Sequence, residues 1–342
     1  MITKQDTTML ATFVGGAIAA YEIYRYFTRT QPSHLSDWVP VGRIKELYIY
    51  PLKSCRGKKV FSVFCDEMGV QHHENRDRMF LAVDQTGHFF TGRVKAQLLL
   101  VDATVEDGKL YLSYKEKKLE VDLNEVYQQR KVIQATLHEN FRQDGLDCGD
   151  EAAKFMSEVL ETESRLVVFT PGLYTARTCR PRKEWWRNPV PVRADDSYFV
   201  DLAPYMITTQ ESINELNQQL KREENPIDNV QFRGNIVIEK CQSAWDEDTW
   251  GELRFGDHPK ATTLECFKPC TRCIFTTIDP KTAIRDPEQQ PLKWLKEYRM
   301  PEGDLLQGLG AHPIFGVNAG AKIPGYIHEG QTVWARLKPT PF

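Results

Sequence analysis

From residue 41 onward the chain reads as short apolar runs separated by polar turns. Residues 44–50, 60–65 and 79–84 are rich in β-branched and aromatic side chains and predict strands. Gln85-Thr86-Gly87 predicts a turn into another extended run over 88–93. Runs over 98–105 and 109–114 flank Glu106-Asp107-Gly108, a hairpin signal. Over 149–161, Ala153, Met156 and Leu160 recur at helical spacing, and 165–169 closes the first half as a strand. The second half begins with residues 198–207. Thr208 with Glu211, and Ser212 with Glu215, have capping-box spacing, and Ile213, Leu216 and Leu220 form the stripe that the following helix would bury. Residues 231–240, 253–255, 264–278 and 332–337 predict strands or strand-rich stretches, and 292–299 a short helix. The pattern predicts an α+β, β-rich protein made of two β-rich units, each with a few helices, and contains no internal repeat.

Between the two units, 177–193 holds Arg177, Arg180, Arg182, Lys183, Arg187 and Arg193 against Glu184 alone. Pro181, Pro189 and Pro191 preclude a continuous helix or strand there, so the stretch is a connector or a loop over something anionic. The expected division is 1–40 as anchor and linker, 41–175 as the first β-rich domain, and 176–342 as the basic connector and second domain. A length of 342 residues admits two domains. A net charge of −3 excludes a chain built overall for nucleic acid. A mean hydropathy of −0.48 excludes a polytopic membrane protein and leaves room for one anchor.

That anchor is read over 9–27. Its uncharged part is short against the roughly 20 residues of a spanning helix, but continuing through Glu22, Ile23 and Tyr24 reaches that length. Glu22 and Arg25 can pair at the headgroups, Tyr21, Tyr24, Tyr26 and Phe27 supply interfacial aromatics, and Arg25 and Arg29 orient the bulk of the chain to the cytosol. A signal peptide cleaved at Ala17-Ile18-Ala19 and a buried amphipathic helix are the competing readings. Residues 31–40 form a polar, Pro-containing linker. The eight cysteines are mostly scattered and no Asn-x-Ser/Thr sequon occurs, which favours a reducing compartment over secretion.

Three cysteines do cluster, in Cys266-Phe267-Lys268-Pro269-Cys270-Thr271-Arg272-Cys273. Four readings fit the spacing. A zinc site would need Cys241 or His258 as a fourth ligand. The Cys-x3-Cys-x2-Cys pattern is also that of radical SAM clusters. One thiolate could bind a metal whose other ligands come from a cofactor. Ordinary buried thiols on a strand are the plainest reading and lead on spacing alone. Arg272 beside Cys273 favours the thiolate, and its planar fork suits a phosphate. Lys53 and Ser54, after Tyr50-Pro51-Leu52, also suit a phosphate, as do Arg76 or Arg78 in Asn75-Arg76-Asp77-Arg78. Arg233 in Phe232-Arg233-Gly234-Asn235 can meet an anion, and Asn235 offers a donor and an acceptor to a heterocycle. Asp201, before Leu202 and Ala203, can accept from ring nitrogens. Each has a plain alternative as a solvated or turn residue. Trp185-Trp186 could wall a pocket, and His72-His73 is a poor chelate.

In combination these stretches resemble the amidoxime-reducing components, MOSC-domain proteins with a β-rich N-terminal partner domain. The resemblance is carried by residues 50–57, Asn75-Arg76-Asp77-Arg78, Asp147-Cys148-Gly149, 232–237, 270–274 and 276–280. It implies a MOSC β-barrel domain, a β-rich MOSC-associated domain before it, and a single anchor helix in the mitochondrial outer membrane. It implies a molybdenum–molybdopterin cofactor whose metal is bound by the Cys273 thiolate, with Cys270 a neighbour. By analogy Lys53, Ser54, Arg78, Arg233, Asn235, Thr271 and Arg272 hold the pterin and its phosphate, and Asp201, Leu202 and Ala203 line it. Leu202 and Ala203 stand where the family often has hydroxyl residues, and Asn318, a further residue that the resemblance places at the cofactor, stands where an aromatic can occur. The implied activity is reduction of N-hydroxylated compounds (amidoximes, hydroxylamines, N-oxides), with electrons from NADH through cytochrome b5 reductase and cytochrome b5. A sulfur-carrying molybdenum-cofactor domain and a membrane-tethered zinc or interaction module are the alternatives.

Overall fold

The computed structural model describes residues 35–138, 141–175, 197–339 and 341. The anchor expected over 9–27 and the basic stretch over 177–193, with Trp185-Trp186, lie outside the described residues. No helix among the described residues is long and apolar enough to cross a membrane.

Seven strands close into a barrel. The first, Val39–Ile49, pairs antiparallel with Ile236–Glu239, which pairs parallel with Tyr205–Thr209. From there the ring runs antiparallel through Ile314–Ile323, Thr263–Thr271, Trp250–Phe255 and Thr332–Leu337. The last strand returns to the first, Val39 opposite Ala335. Closure leaves no open edge on the ring. The interior is filled by Ile44, Leu47, Ile49, Ile207, Ile236, Ile238, Leu253, Leu264, Cys266 and Val317, among others. A register shift between Ile44 and Glu46 explains why both an even and an odd position of the first strand point inward.

The same strand serves a second core. Tyr48 and Tyr50 pack with Phe80, Leu81, Leu166, Val167 and the helix Asp150–Leu160, while Ile49 faces the barrel. Val237 does the same between Ile236 and Ile238. This second core is built on a four-stranded sheet, Phe80–Val83 beside Arg165–Val168, Gly145–Asp147 and Val132–Ile133. A three-stranded meander, Asp102–Glu106, Lys109–Tyr114 and Lys117–Asp122, completes it. A small sheet of Gly325–His328, Ser62–Asp66, Gly69–His72 and Asn75–Arg76 joins the two halves.

The β-rich expectation and the hairpin over 106–108 agree with this architecture. Several local expectations do not: the runs over 98–105 and 231–240 begin in helix, Ala96–Leu100 and Asn229–Phe232, before their strands. The linker over 31–40 is already barrel strand from Val39. The extended run over 88–93 makes only isolated bridges, Val83 to Phe89 and His88 to Thr136. The run over 264–278 stops being strand at Thr271 and turns into a 3₁₀ helix, Ile274–Thr277. The cap of the helix Gln210–Gln219 is Thr209, which accepts from the Ser212 N–H, and not Thr208 or Ser212. Thr208 remains on the strand and its hydroxyl donates to Asn229 Oδ1 (2.9 Å), while Glu211 accepts from the Lys240 N–H (2.8 Å).

Glu247 is fully buried beside that helix start, 2.9 Å from the hydroxyls of Thr209 and Ser212. Burial, and then the charge of Asp248, raise its pKa from 4.5 to about 7. The folded state therefore binds a proton that the unfolded state releases, and stability falls as pH rises from 4.5 to about 7. Replacing Glu247 with Gln removes this contribution. Urea denaturation across that range should show a flatter pH dependence for the variant than for the wild-type chain.

Candidate active site at the junction of the two cores

The chain leaves the first barrel strand at Tyr50 and makes a tight turn. The Lys53 N–H donates to the Phe80 carbonyl (2.9 Å), the Cys55 N–H to the Leu52 carbonyl (3.0 Å), and Ser54 takes a φ of 68°. Arg78, at φ 52°, donates its N–H to the Tyr50 carbonyl (2.7 Å). Arg233, at φ 58°, ends the short helix Asn229–Phe232. Three side-chain-bearing residues thus occupy the sparsely populated left-handed region around one cavity, a pattern that marks sites where structure is held for function.

The cavity measures about 330 Å³. Lys53, Ser54, Arg78, Asp201, Leu202, Ala203, Arg233, Asn235, Thr271, Arg272, Cys273 and Asn318 all line it. Thr91, Arg93, Met206, Gln231, Lys268, Cys270 and Phe275 line it as well. Apart from Cys270, none of these stands among the candidates the sequence offers. Lys268 had a usable signal, a cation between two cysteines. Thr91 and Arg93 had none, since only the fold brings their turn to Phe275.

The centre of the site is the buried Tyr50 ring. The guanidinium carbons of Arg78 and Arg233 lie 4.4 and 4.3 Å from its centroid, and its hydroxyl donates to the Gly234 carbonyl (3.2 Å). Arg78 is paired with Asp77, which is buried and also accepts from the Tyr50 N–H (2.9 Å). Arg233 donates Nη1 to the Cys55 carbonyl (2.7 Å), and its Nη2 is buried without a partner. Burial, and then the neighbouring Arg78 charge, lower the Arg233 pKa below the ordinary guanidinium value. A buried, unsatisfied cationic donor of this kind calls for an anion. Cys55 is a core thiol, pushed up to about 11 by burial.

Several of the lining residues expected to hold a ligand also bond to backbone. Arg272 donates Nε and Nη2 to the Phe315 carbonyl (2.8 and 2.6 Å) and Nη1 to the Phe232 carbonyl (2.9 Å). Its fork therefore ties the residue before Cys273 to the residue before Arg233, while its charge stays beside Cys270 and Cys273. Asn235 accepts from the Met206 N–H (3.2 Å) and donates to the Tyr48 carbonyl (3.4 Å). Asn318 donates to the Pro269 carbonyl at 3.5 Å. Lys53 donates to the Phe199 carbonyl (2.8 Å) and to Asp201 Oδ1 (2.6 Å). Leu202 and Ala203 pack on Phe267.

The three clustered thiols separate. Cys266 is buried in the barrel, whereas Cys270 and Cys273 are half-buried at the cavity. The strand between them shifts register on both sides of Pro269, at Cys266/Lys268 and Pro269/Thr271, which suits a residue that cannot donate to the ladder. Among the described residues no three His, Cys, Asp or Glu side chains stand together to hold a metal. With Cys266 turned into the barrel and the other two at the cavity, the three thiols do not converge on one metal, which removes the three-thiol zinc and cluster readings.

These features define a cationic cleft with an accessible thiol, set between a barrel and a second β-rich core. Residues 41–163 match the MOSC N-terminal beta barrel domain and residues 195–334 the MOSC domain. The chain is 33% identical to mitochondrial amidoxime-reducing component 1 of Mus musculus over 307 residues, 90% of this chain and 86% of that protein. It is 32% identical to component 2 of Bos taurus over 319 residues (91% and 88%), and 31% identical to component 1 of Homo sapiens over 295 residues (86% and 83%). The chain belongs to the MOSC-domain family that includes these amidoxime-reducing components.

Breaking the Asp77–Arg78 pair should unsettle the whole cluster, because it strands a guanidinium in a buried setting. Asp77→Asn should cost about 3 kcal/mol of folding stability, measured by urea denaturation. Asp102→Asn, at the exposed Arg56–Asp102 pair, should cost under about 1 kcal/mol.

Proposed function

We propose that this chain is a molybdenum-cofactor-dependent reductase of N-hydroxylated compounds, amidoximes among them. The observation that carries the reading is the convergence of a half-buried Cys273 with cations from both halves of the chain, one of them the unpartnered Arg233 Nη2. The residues fit a phosphate-bearing, pterin-chelated metal. The lining has more positive than negative groups, it includes a thiol, and it holds no protein-only metal site among the described residues.

Cys273 would supply the protein's ligand to molybdenum. Lys53, Ser54, Arg78, Arg233 and Thr271 would face the pterin and its phosphate, offsetting its charge. Arg272 would act from behind, tying the Cys273 segment to the Arg233 turn through the Phe232 carbonyl, and Asn235 through the Met206 N–H and the Tyr48 carbonyl. Asp201, Leu202, Ala203 and Asn318 would complete the wall. When bound, the cofactor supplies the two-electron chemistry by which an N-hydroxy compound, two electrons and two protons give the parent amidine or amine and water. The protein orients the substrate against the thiol-bearing segment and limits water in a cavity of about 330 Å³.

Electrons would arrive from NADH through cytochrome b5 reductase and cytochrome b5, as the family resemblance implies. The relatives are named mitochondrial. We extend that to the outer membrane, with the 9–27 segment as anchor and the catalytic bulk facing the cytosol.

The test measures molybdenum content of the purified full chain by mass spectrometry, with benzamidoxime reduction in a reconstituted cytochrome b5 system. The wild-type chain should carry near-stoichiometric molybdenum and turn over. Cys273→Ala should lose both, and Cys270→Ala should keep most of the metal. Molybdenum retained in Cys273→Ala would remove the ligand assignment. A loaded but inactive wild-type chain would point to a cofactor carrier.

A further inference from the structure

Arg93 lines the cavity without being part of the Tyr50 cluster. It sits on a turn closed by the Val94 and Lys95 N–H groups, both donating to the Thr91 carbonyl (3.0 and 2.8 Å). The turn is pressed onto the thiol segment. A Cβ at Gly92 would come within 2.3 Å of the Phe275 ring, two residues beyond Cys273, and Arg285 donates to the Arg93 carbonyl (3.2 Å). Arg93 is therefore held close to where Cys273 faces the cavity.

The partners of the cavity's cations differ. Lys53 is bonded to Asp201, Arg78 to Asp77, and Arg272 to two carbonyls. Among the described residues no carboxylate lies within ion-pair distance of Arg93. Its guanidinium is half-buried and donates instead to the ring of His138, 2.7 Å from Nε2. That partner is replaceable. The same Nε2 is 3.2 Å from Asp201 Oδ1. It can offer a lone pair to Arg93 or a proton to Asp201, but not both. An anion that draws Arg93 away leaves His138 with a carboxylate already in reach. The ring itself stays seated edge-on against Phe89, centroids 4.6 Å apart.

We propose that Arg93 is an anchor for an anionic group on the substrate, so that the cavity favours N-hydroxylated compounds that also carry a carboxylate. A guanidinium fork and a carboxylate match in geometry, and a partly desolvated pair gains more than an exposed one. The inference rests on the reductase reading for the word substrate; the anion site itself does not need turnover.

The experiment is calorimetric titration of the oxidised, molybdenum-loaded full chain, without reductant, with benzamidoxime and with its 4-carboxylate derivative. The wild-type chain should bind the carboxylate about tenfold more tightly than the neutral compound. Added salt should narrow that ratio. In Arg93→Ala the ratio should fall to about one, and Arg93→Lys should recover part of it. Equal affinities in the wild-type chain, or a ratio that survives in Arg93→Ala, would overturn the proposal. Loss of molybdenum from Arg93→Ala would overturn it too, by assigning Arg93 to the cofactor. A wild-type chain that prefers the carboxylate yet reduces neither compound keeps the anchor and sinks the reductase reading.

Discussion

The antiparallel pairing of Val39–Ile49 with Ile236–Glu239 is the constraint that the site depends on. Leu47 lies opposite Ile236, and the Tyr48 N–H continues the ladder to the Asn235 carbonyl (2.8 Å). Residues leaving the first strand must therefore meet residues entering the second. Tyr50, Lys53 and Ser54 come to lie beside Arg233 and Asn235, which are more than 170 positions away in the sequence. Where they meet, over Leu47–Ile49 and Ile236–Ile238, both strands are buried on both faces, since one face fills the barrel and the other the second core. The pairing is thus specified by two cores at once, and a slip of register would expose one of them.

On that frame the electrostatics have a simple order. Asp77 is consumed within the fold by Arg78 and the Tyr50 N–H, and the Tyr50 ring gives two guanidinium groups a shared π face. Aromatic and carboxylate together compensate Arg78 more fully than Arg233, which has a carbonyl and the ring but no acid. The protein thereby keeps one deeply placed cation short of partners. Such a group is costly in an empty cavity and favourable beside an anion, so the fold is pre-organised for a charged occupant.

Much of this site was legible in the sequence, and the exceptions have physical causes. Lys53, Ser54, Arg78 and Arg233 stand in short polar motifs at the ends of apolar runs, and strand ends are where a barrel gathers its loops. Cys266 was grouped with Cys270 and Cys273 because the spacing is compact, but the register shifts around Pro269 send the first thiol into the barrel and the others to the cavity. The Pro within a strand-like run was the available clue. Arg272 and Asn235 are expected to face a ligand, and both line the cavity while their side chains also bond to carbonyls. Side-chain type reveals donor capacity, while the partner is set by backbone brought in from elsewhere. The cap at Thr209 was missed by one position, because Thr208 had a competing partner in Asn229 that no local pattern displays.

Arg93 illustrates the limit from the other side. Its own neighbourhood, Thr91-Gly92-Arg93, contains nothing that marks a site, and Gly92 looks like an ordinary loop glycine. Its place at the cavity emerges from packing: only a residue without a Cβ lets this turn close onto Phe275, and Arg93 and Cys273 then line the same cavity. The two least compensated cations of the site then lie at different points on the wall. Arg233 belongs to the buried Tyr50 cluster, and Arg93 to a half-buried turn whose side chain leans on the ring of His138. A permanent occupant rewards the deep position, where desolvation strengthens the pairing and exchange is slow. A transient one needs the shallower position, where a replaceable partner keeps the cation hydrated and paired between visits. On the proposed function, this distribution of compensation would separate the place of a bound cofactor from that of a substrate.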